Sequence, residues 1–364
     1  MVERGIWSPT ALLALALAAC TGTAQSPSNR GAERAPLEVW AFHAPWDPLS
    51  DSSAVRHRRY IDVLVSGWIA LDTATLRPSL LYRDALIRRD DPSTRSFALV
   101  TSWLGEGFHP ETIRRLAAND ASLARAAGTI AGIADSAGYH GLVLDFELHE
   151  PRDLPALLRV VRAIADSTRG RGPTEIAIAV PATDTAAYPT RPLLAIVDHV
   201  LPMLYDLHWA GSAPGPVATP QWARRALGTH VSAAGPSRVV AAYPVYGYLW
   251  RRAAPDAPAV PLEPARTIGY ADALRITSAA GVPLERDPPS SSLRALVPNE
   301  WELWVSDAGH VEALIEDARR LGVRRVAFWR LGVEDPAVWP RINPDSAGSS
   351  GSREDRVDQG GQSR

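Results

Sequence analysis

The chain has 364 residues, of which 46% are hydrophobic and 21% are charged, a composition typical of a globular protein. Its formal net charge of -2 provides no strong basic field, which argues against nucleic acid or an anionic membrane surface as the main partner. The single cysteine, Cys20, excludes an intrachain disulfide and a cysteine-based zinc site. Specific recognition must therefore come from local sites.

The N-terminal segment has the features of a bacterial export signal. Arg4 precedes an apolar stretch at residues 11–19 that is too short to cross a bilayer as a mature helix. The stretch ends in Leu-Ala-Ala-Cys at residues 17–20, which resembles the lipobox of bacterial lipoproteins, where the cysteine becomes the lipidated first residue. We therefore predict that residues 1–20 are a lipoprotein signal peptide and that Cys20 is the lipid attachment site. The alternative is an ordinary cleavable signal in which Cys20 is an incidental apolar residue.

A lipid anchor at Cys20 predicts an exported protein held at a membrane of the cell envelope, because several acyl chains together bind a bilayer firmly. Thr21 and Gly22 lack the acidic residue that retains many Gram-negative lipoproteins at the inner membrane, which favours the outer membrane. Residues 21–35 are small and polar and predict a linker. Residues 342–364 contain almost no apolar side chains and predict a disordered tail.

Residues 36–341 have the pattern of repeated βα units, since short apolar runs rich in β-branched residues alternate with stretches of helical periodicity. Eight such runs favour a closed (β/α)8 TIM barrel of the α/β class over an open doubly wound sheet, and no GxGxxG turn follows the first run. Residues 251–305 are too long for an ordinary βα connection and predict a small insertion after strand 7, folded against the barrel mouth. The predicted strands are residues 37–42, 63–71, 97–103, 142–147, 176–181, 199–205, 239–246 and 326–331, and the main predicted helices are residues 110–137, 154–167, 221–233 and 311–321.

The most informative segment is residues 138–147, where a glycine-marked entry leads into a predicted strand that ends in Asp145 and Glu147. Alternate side chains of a strand share a face, so both carboxylates are expected to project into the barrel lumen near its carboxyl end, where such barrels place their sites. Two carboxylates in one apolar pocket cannot both ionise readily, so one pKa should rise, as a general acid requires. On spacing alone, a structural ion pair with lumen arginines is an equally good interpretation.

Two other predicted strand ends carry polar or aromatic side chains. Residues 201–209 read Leu-Pro-Met-Leu-Tyr-Asp-Leu-His-Trp, which places Met203 and Tyr205 on one face and Asp206 at the start of a loop. A tyrosine hydroxyl there can donate a hydrogen bond to a substrate carbonyl and Asp206 can hold a polar group, although both residue types are common in simple turns. Trp329 ends the last predicted strand, where its ring can form an apolar floor for a sugar.

Taken in chain order, these segments resemble glycoside hydrolase family 18, the chitinase-like barrels, from about residue 37 to residue 339. Gly-Leu-Val-Leu-Asp-Phe-Glu at 141–147 is similar to the family's DGxDxDxE strand-4 signature. Met-Leu-Tyr-Asp at 203–206 is similar to its strand-6 MxYD, and Phe-Trp at 328–329 matches its strand-8 tryptophan. Further matches, which are similar to the spore-cortex-hydrolase and deacetylase-fused branches, lie at residues 214–218, 243–247, 304–307 and 328–335.

The resemblance implies hydrolysis of glycans that contain β-1,4-linked N-acetylglucosamine, such as peptidoglycan or a chitin-like polymer, by a substrate-assisted retaining mechanism. Glu147 would protonate the glycosidic oxygen and later activate water, Asp145 would orient the substrate's acetamide group, and Tyr205 would hydrogen-bond the acetamide oxygen. No cofactor or metal is implied, and the histidines show no HExxH-like ligand spacing. The implied substrate-binding residues are Asp206, Met203, Trp329 and Tyr246.

Two positions depart from the family signature. His140 and Val143 stand where its first and second aspartates would be, so the buried carboxylate that usually shares a proton with Asp145 is missing. We interpret this as a subfamily feature, because some branches of the family tolerate an apolar residue there, and the retention of Glu147 argues against the non-catalytic members. The first alternative is a weakly active or non-catalytic carbohydrate-binding barrel of the cell envelope, which His140 and Val143 favour. The second is a structural lipoprotein that binds a partner through the insertion, for which no specific residue argues.

Overall fold

The computed structural model describes residues 36–82, 94–172, 174–251 and 263–343. The predicted signal peptide, the lipid attachment site Cys20, the linker and the tail from residue 344 onward lie outside these ranges, so they stay predictions. Within the described ranges, no helix is both long enough and apolar enough to cross a membrane.

Eight parallel strands in the described residues close into a barrel, and we number them β1 to β8 in chain order. Strand β1 pairs with β2 on one side and with β8 on the other, where Ala41 lies opposite Phe328, and this second pairing closes the sheet. The predicted (β/α)8 barrel is therefore confirmed. The strands are Glu38–Phe42, Val63–Leu71, Arg95–Thr101, Gly141–Asp145, Glu175–Pro181, His199–Met203, Val240–Pro244 and Arg325–Trp329.

The predicted carboxyl ends of five strands, β3, β4, β6, β7 and β8, lie two residues too far along the chain. Strand β4 ends at Asp145 rather than at Glu147, and β6 ends at Met203 rather than at Tyr205. The apolar and aromatic pattern continues past these strand ends, where regular pairing has stopped and only single backbone hydrogen bonds, such as that from the Leu204 amide to the Ala242 carbonyl oxygen at 2.9 Å, follow. Side-chain pattern alone therefore places the strand ends too late.

Most of the helices lie between the barrel strands in sequence and pack on the outside of the barrel. The single helix predicted at residues 110–137 is in fact two helices, because the Asn119 side chain accepts a hydrogen bond from the Ser122 amide at 2.8 Å and starts a new helix at Asp120. We number the helices α1 to α9: Pro48–His57, Pro110–Ala117, Asp120–Ala137, Leu154–Arg169, Thr190–Leu194, Pro220–Ala234, Tyr270–Ala280, Ala308–Arg320 and Val338–Ile342.

Side chains of each strand alternate between the lumen and the helices, as the two-residue period of a strand requires. The outward set forms the larger core with the helices. The inward set includes Trp40 and Phe97, which pack edge to face with ring centroids 4.9 Å apart and are fully buried. These large rings fill the lumen toward the amino ends of the strands, so the open space lies at the carboxyl ends.

The segment after β7 forms a second, antiparallel sheet together with helix α7. This sheet begins at Gly247 rather than at residue 251, and a Cβ atom on Gly247 would lie only 2.0 Å from the Trp304 carbonyl oxygen. Only glycine therefore fits where the chain passes from the barrel into this sheet. In order across the sheet, its described strands are Arg266–Ile268, Gly247–Arg251, Trp301–Val305, Leu293–Val297 and Glu285–Arg286.

The amino end of the barrel carries a group of ionisable residues that are the first residues of their strands. Arg95 contacts the carboxylates of both Glu38, at 2.6 Å, and Glu175. His199 Nε2 lies 2.6 Å from Glu175, and Arg325 Nε lies 3.0 Å from Glu38. Burial alone would raise the pKa of Glu175, but the hydrogen bond from His199 and the charge of Arg95 outweigh it and hold that pKa below its ordinary value.

We expect Arg95→Gln to lower the free energy of unfolding by about 1–2 kcal/mol near neutral pH, because Glu38 and Glu175 lose their shared cation. The depressed pKa of Glu175 means that its stabilising contribution is lost as the pH falls through the folded-state pKa, so the difference should shrink in acid. Urea denaturation measures both effects. The control is Arg275→Gln, which removes an exposed pair with Asp272 and should cost less than about 0.5 kcal/mol; equal losses in the two variants would contradict the prediction.

Candidate active site

A cleft of about 630 Å³ opens at the carboxyl ends of the strands. It contains three carboxyl groups, from Asp145, Glu147 and Asp206, and its remaining walls are mainly aromatic and aliphatic. A concave, largely apolar pocket with a few convergent polar groups is the usual form of a small-molecule or oligomer site. The lining residues are Phe42, Trp46, Trp68, Leu81, Tyr82, Leu99, Trp103, Leu104, Gly105, Phe108, Asp145, Glu147, Ala179, Leu201, Met203, Tyr205, Asp206 and Trp329.

Asp145 and Glu147 lie together at the centre of the cleft, as the sequence predicted. Asp145 is the last residue of β4, and it lies opposite Thr101, the last residue of β3. The Thr101 hydroxyl donates to Asp145 Oδ2 at 3.2 Å, and the carboxyl groups of Asp145 and Glu147 are hydrogen-bonded to each other. Val143 lies below them on the lumen face and is fully buried, so an apolar side chain occupies this face of β4 below Asp145.

The pKa values of both carboxyl groups lie above their ordinary values. Burial raises the pKa of Glu147 to about 9, and the nearby negative charges of Asp145 and Asp206 contribute to the rise. Burial also raises the pKa of Asp145 to about 6, although the hydrogen bonds from Thr101 and Glu147 partly oppose it. Near neutral pH, Glu147 is therefore protonated and donates a hydrogen bond to the ionised Asp145 carboxylate. A protonated carboxyl group beside an ionised one is the arrangement that general acid catalysis requires.

Tyr205 and Asp206 follow β6 and line the cleft. Asp206 has a left-handed backbone conformation, with φ of 60°, which aspartate tolerates better than most residues. Tyr246 donates its hydroxyl to Asp206 Oδ1 at 2.5 Å, and Tyr248 donates to the same oxygen at 3.1 Å. Burial raises the pKa of Asp206, and these two hydrogen bonds partly oppose the rise. The two phenols thereby fix the direction in which the carboxylate faces the cleft.

Trp329 and Met203 lie in the cleft, whereas Tyr246 lies behind it. Trp329 packs edge to face against Phe42, with ring centroids 5.5 Å apart, and the peptide bond that follows Trp329 is cis. Tyr246 is 4% exposed and is not among the lining residues, so its position is that of a partner of Asp206.

Several residues in the cleft or directly behind it were not predicted from the sequence. Thr101 and Tyr248 hydrogen-bond the carboxylates, and a row of aromatic side chains extends from the centre to the rim. Trp46, Tyr82 and Trp103 are 48%, 38% and 41% exposed, which is high for such large apolar groups. Trp46 packs against Trp68 at 4.7 Å and against Tyr82 at 6.0 Å between ring centroids. The available sequence signal was limited to Trp46, just beyond the first predicted strand, and Trp103, at the end of the third.

Among the described residues, no group of three His, Cys, Asp or Glu side chains is placed to hold a metal ion. That the site uses no metal or cofactor stays a prediction from the sequence.

The chain is similar in sequence to the putative sporulation-specific glycosylase YdhD of Bacillus subtilis, with 24% identity over 256 residues that cover 66% of this chain and 59% of the relative. It is also 24% identical over 264 residues to the cortical fragment-lytic enzyme of the same organism, which covers 69% of this chain and 60% of that enzyme. The chain thus spans about three fifths of the length of these curated relatives. No protein-family model matches it.

Solved structures share the same barrel. The spore cortex-lytic enzyme SleL of Bacillus cereus superposes with a TM-score of 0.72 at 16% identity, over 84% of this chain and 74% of that chain. A chitinase from Chromobacterium violaceum superposes with a TM-score of 0.72 at 17% identity, over 86% of this chain and 99% of that chain. The resemblance to the chitinase-like barrels of glycoside hydrolase family 18 that was predicted from the sequence is confirmed, and this chain has their fold.

Proposed function

We propose that this protein is a glycoside hydrolase that cleaves glycans containing β-1,4-linked N-acetylglucosamine. The observation that carries the proposal is the hydrogen-bonded pair of Asp145 and Glu147 at the centre of an aromatic-lined cleft, in which burial keeps Glu147 protonated near neutral pH. The names of the relatives, a cortical fragment-lytic enzyme and chitinases, favour peptidoglycan or a chitin-like polymer as the substrate.

In the first step, the carbonyl oxygen of the substrate's own N-acetyl group attacks the anomeric carbon while the glycosidic C–O bond breaks. Glu147 gives its proton to the departing oxygen and is left as a carboxylate. The product of this step is a cyclic oxazolinium ion, whose positive charge lies beside the ionised Asp145. Asp145 thereby stabilises the developing charge and orients the acetamide N–H, and the Tyr205 hydroxyl donates a hydrogen bond to the acetamide oxygen.

In the second step, the Glu147 carboxylate removes a proton from water as that water attacks the anomeric carbon. The bond to the acetamide oxygen breaks, the N-acetyl group is restored, and Glu147 is protonated again for the next cycle. The configuration of the anomeric carbon is inverted twice and is therefore retained. Met203 and Trp329 supply apolar contacts to the reacting sugar, and Asp206, held by Tyr246, binds its polar groups.

The second candidate function is a glycan-binding barrel with little or no hydrolysis. The observation that favours it is the buried Val143, which leaves Asp145 without a carboxyl neighbour on the lumen face of β4. Instead of a neighbouring carboxyl group, Asp145 has one hydrogen bond from the neutral Thr101 hydroxyl. Measurements of cleavage and binding on the same protein separate the two functions.

We expect wild-type protein to release products from N-acetyl chito-oligosaccharides or purified peptidoglycan. Glu147→Gln removes the proton donor while keeping the side-chain shape, so it should lower kcat by about 100-fold or more and leave glycan binding intact. The control is Glu150→Gln, which makes the same chemical change in an exposed residue paired with Arg152 and should keep full activity. Binding of either glycan by the wild type without any cleavage would establish the binding barrel instead.

The pH dependence should report the two carboxyl groups. Activity requires ionised Asp145 and protonated Glu147, so kcat/KM should be maximal between about pH 6 and about pH 9. The Thr101 hydrogen bond lowers the pKa of Asp145, and its loss in Thr101→Val should therefore move the acid limb upward by about 0.5–1 pH unit. Ser102→Ala, which removes a neighbouring buried hydroxyl that has no partner among the described residues, should leave the limb in place. An unchanged acid limb in Thr101→Val would show that another group sets it.

We also propose that the mature protein is anchored in a membrane of the cell envelope through lipid on Cys20. The support is the lipobox-like sequence at residues 17–20 alone, which lies outside the described residues. Labelled fatty acid should be incorporated into the wild type but not into Cys20→Ser, and the variant should move from the membrane fraction to the soluble fraction. Retention of Cys20→Ser in the membrane fraction would refute the lipid anchor.

A further inference from the structure

One tyrosine hydroxyl joins the backbone on both sides of Glu147. Tyr188, on the loop after β5, donates its hydroxyl to the Phe146 carbonyl oxygen at 2.8 Å. The same hydroxyl accepts a hydrogen bond from the His149 amide at 3.1 Å. Tyr188 is 1% exposed and does not line the cleft, so its hydrogen bonds reach Glu147 through the backbone.

The segment that carries Glu147 needs such support. The described pairing of β4 with its neighbours ends at Asp145, so Glu147 lies beyond the hydrogen-bonded ladder that fixes the rest of the strand. Leu148 has a left-handed backbone conformation, with φ of 62°, that leucine rarely adopts, and its side chain is 66% exposed and packs into no core. The turn is therefore held by contacts outside Glu147 and Leu148 themselves.

The loop that carries Tyr188 is itself fixed at both ends by His230 of α6. His230 Nε2 lies 3.0 Å from the Ala182 carbonyl oxygen, and its Nδ1 lies 2.9 Å from the Thr190 hydroxyl. A carbonyl oxygen only accepts, so Nε2 carries the hydrogen and Nδ1 accepts the Thr190 hydroxyl proton. Burial lowers the pKa of His230, which keeps the ring neutral as this pattern requires. The loop that carries Tyr188 is therefore held in place at both ends by hydrogen bonds to His230.

We propose that Tyr188 is a positioning residue that holds the carboxyl group of Glu147 in its reactive place by clamping the Phe146 carbonyl and the His149 amide. This inference rests on the proposed function of Glu147 as the acid. Burial raises the pKa of Tyr188 well above its ordinary value, so the hydroxyl proton needed for the bond to Phe146 is present throughout the working pH range.

Tyr188→Phe removes both hydrogen bonds and keeps the buried ring. We expect kcat to fall about 10- to 100-fold while KM changes by less than about twofold, because a small displacement of the acid affects the chemical step more than binding. The matched control is Tyr243→Phe in β7, which also removes a hydroxyl from a fully buried tyrosine, but one that has no hydrogen-bond partner among the described residues. A kcat for Tyr188→Phe within about twofold of wild type, or an equal fall in Tyr243→Phe, would overturn the proposal.

Amide hydrogen exchange tests the clamp without any activity. The His149 amide should exchange about tenfold faster or more in Tyr188→Phe than in wild type or Tyr243→Phe, and unchanged exchange would overturn the clamp. If the wild type cleaves no glycan, the proposed function fails, and faster exchange in Tyr188→Phe alone would still establish the clamp as a property of the fold. Thr190→Val loosens the far end of the supporting loop and should change kcat and exchange in the same direction if Tyr188→Phe does not fold.

Discussion

Closure of the parallel sheet by the pairing of β1 with β8 determines everything else in the molecule. In a closed parallel barrel all carboxyl ends meet at one rim, so residues far apart in sequence, such as Phe42, Asp145, Asp206 and Trp329, face a common space. The same closure brings the amino ends together, where Arg95 and its neighbours compensate one another's charge. The large lumen rings fill the space toward the amino ends, which confines the solvent-accessible cavity to the rim.

Few groups stabilise negative charge at the carboxyl-end rim of the barrel, and this determines which of the two carboxyl groups, Asp145 or Glu147, is protonated. The Asp145 carboxylate faces one hydroxyl, from Thr101, and one carboxyl proton, from Glu147, above an apolar lumen that includes Val143. Because so few groups compensate negative charge there, Asp145 and Glu147 together hold a single proton near neutral pH. That proton resides on Glu147, which lies beyond the end of β4. Burial thus separates the roles of two carboxyl groups that are chemically alike.

The sequence predicted the barrel and the carboxylate pair, but not the strand ends or the partner of Asp145, for physical reasons. Apolar periodicity predicted the barrel, and the spacing of Asp145 and Glu147 predicted that they share a pocket. The strand ends were placed too late because side-chain pattern does not report where backbone pairing stops. Thr101 could be assigned to Asp145 only from the register between β3 and β4, which no local signal contains.

The contact of Gly247 with the Trp304 carbonyl has a consequence for the modularity of this barrel. The insertion is joined to β7 at a point where no side chain fits, and the tyrosines on either side of that glycine, Tyr246 and Tyr248, hold the Asp206 carboxylate. A shortened barrel in which the insertion is replaced by a tight loop would lose Tyr248 and leave the Asp206 carboxylate held by Tyr246 alone. The accessory sheet therefore contributes, through Tyr248, to how Asp206 is held in the cleft, and exchange of this sheet between related barrels would transfer that contact with it.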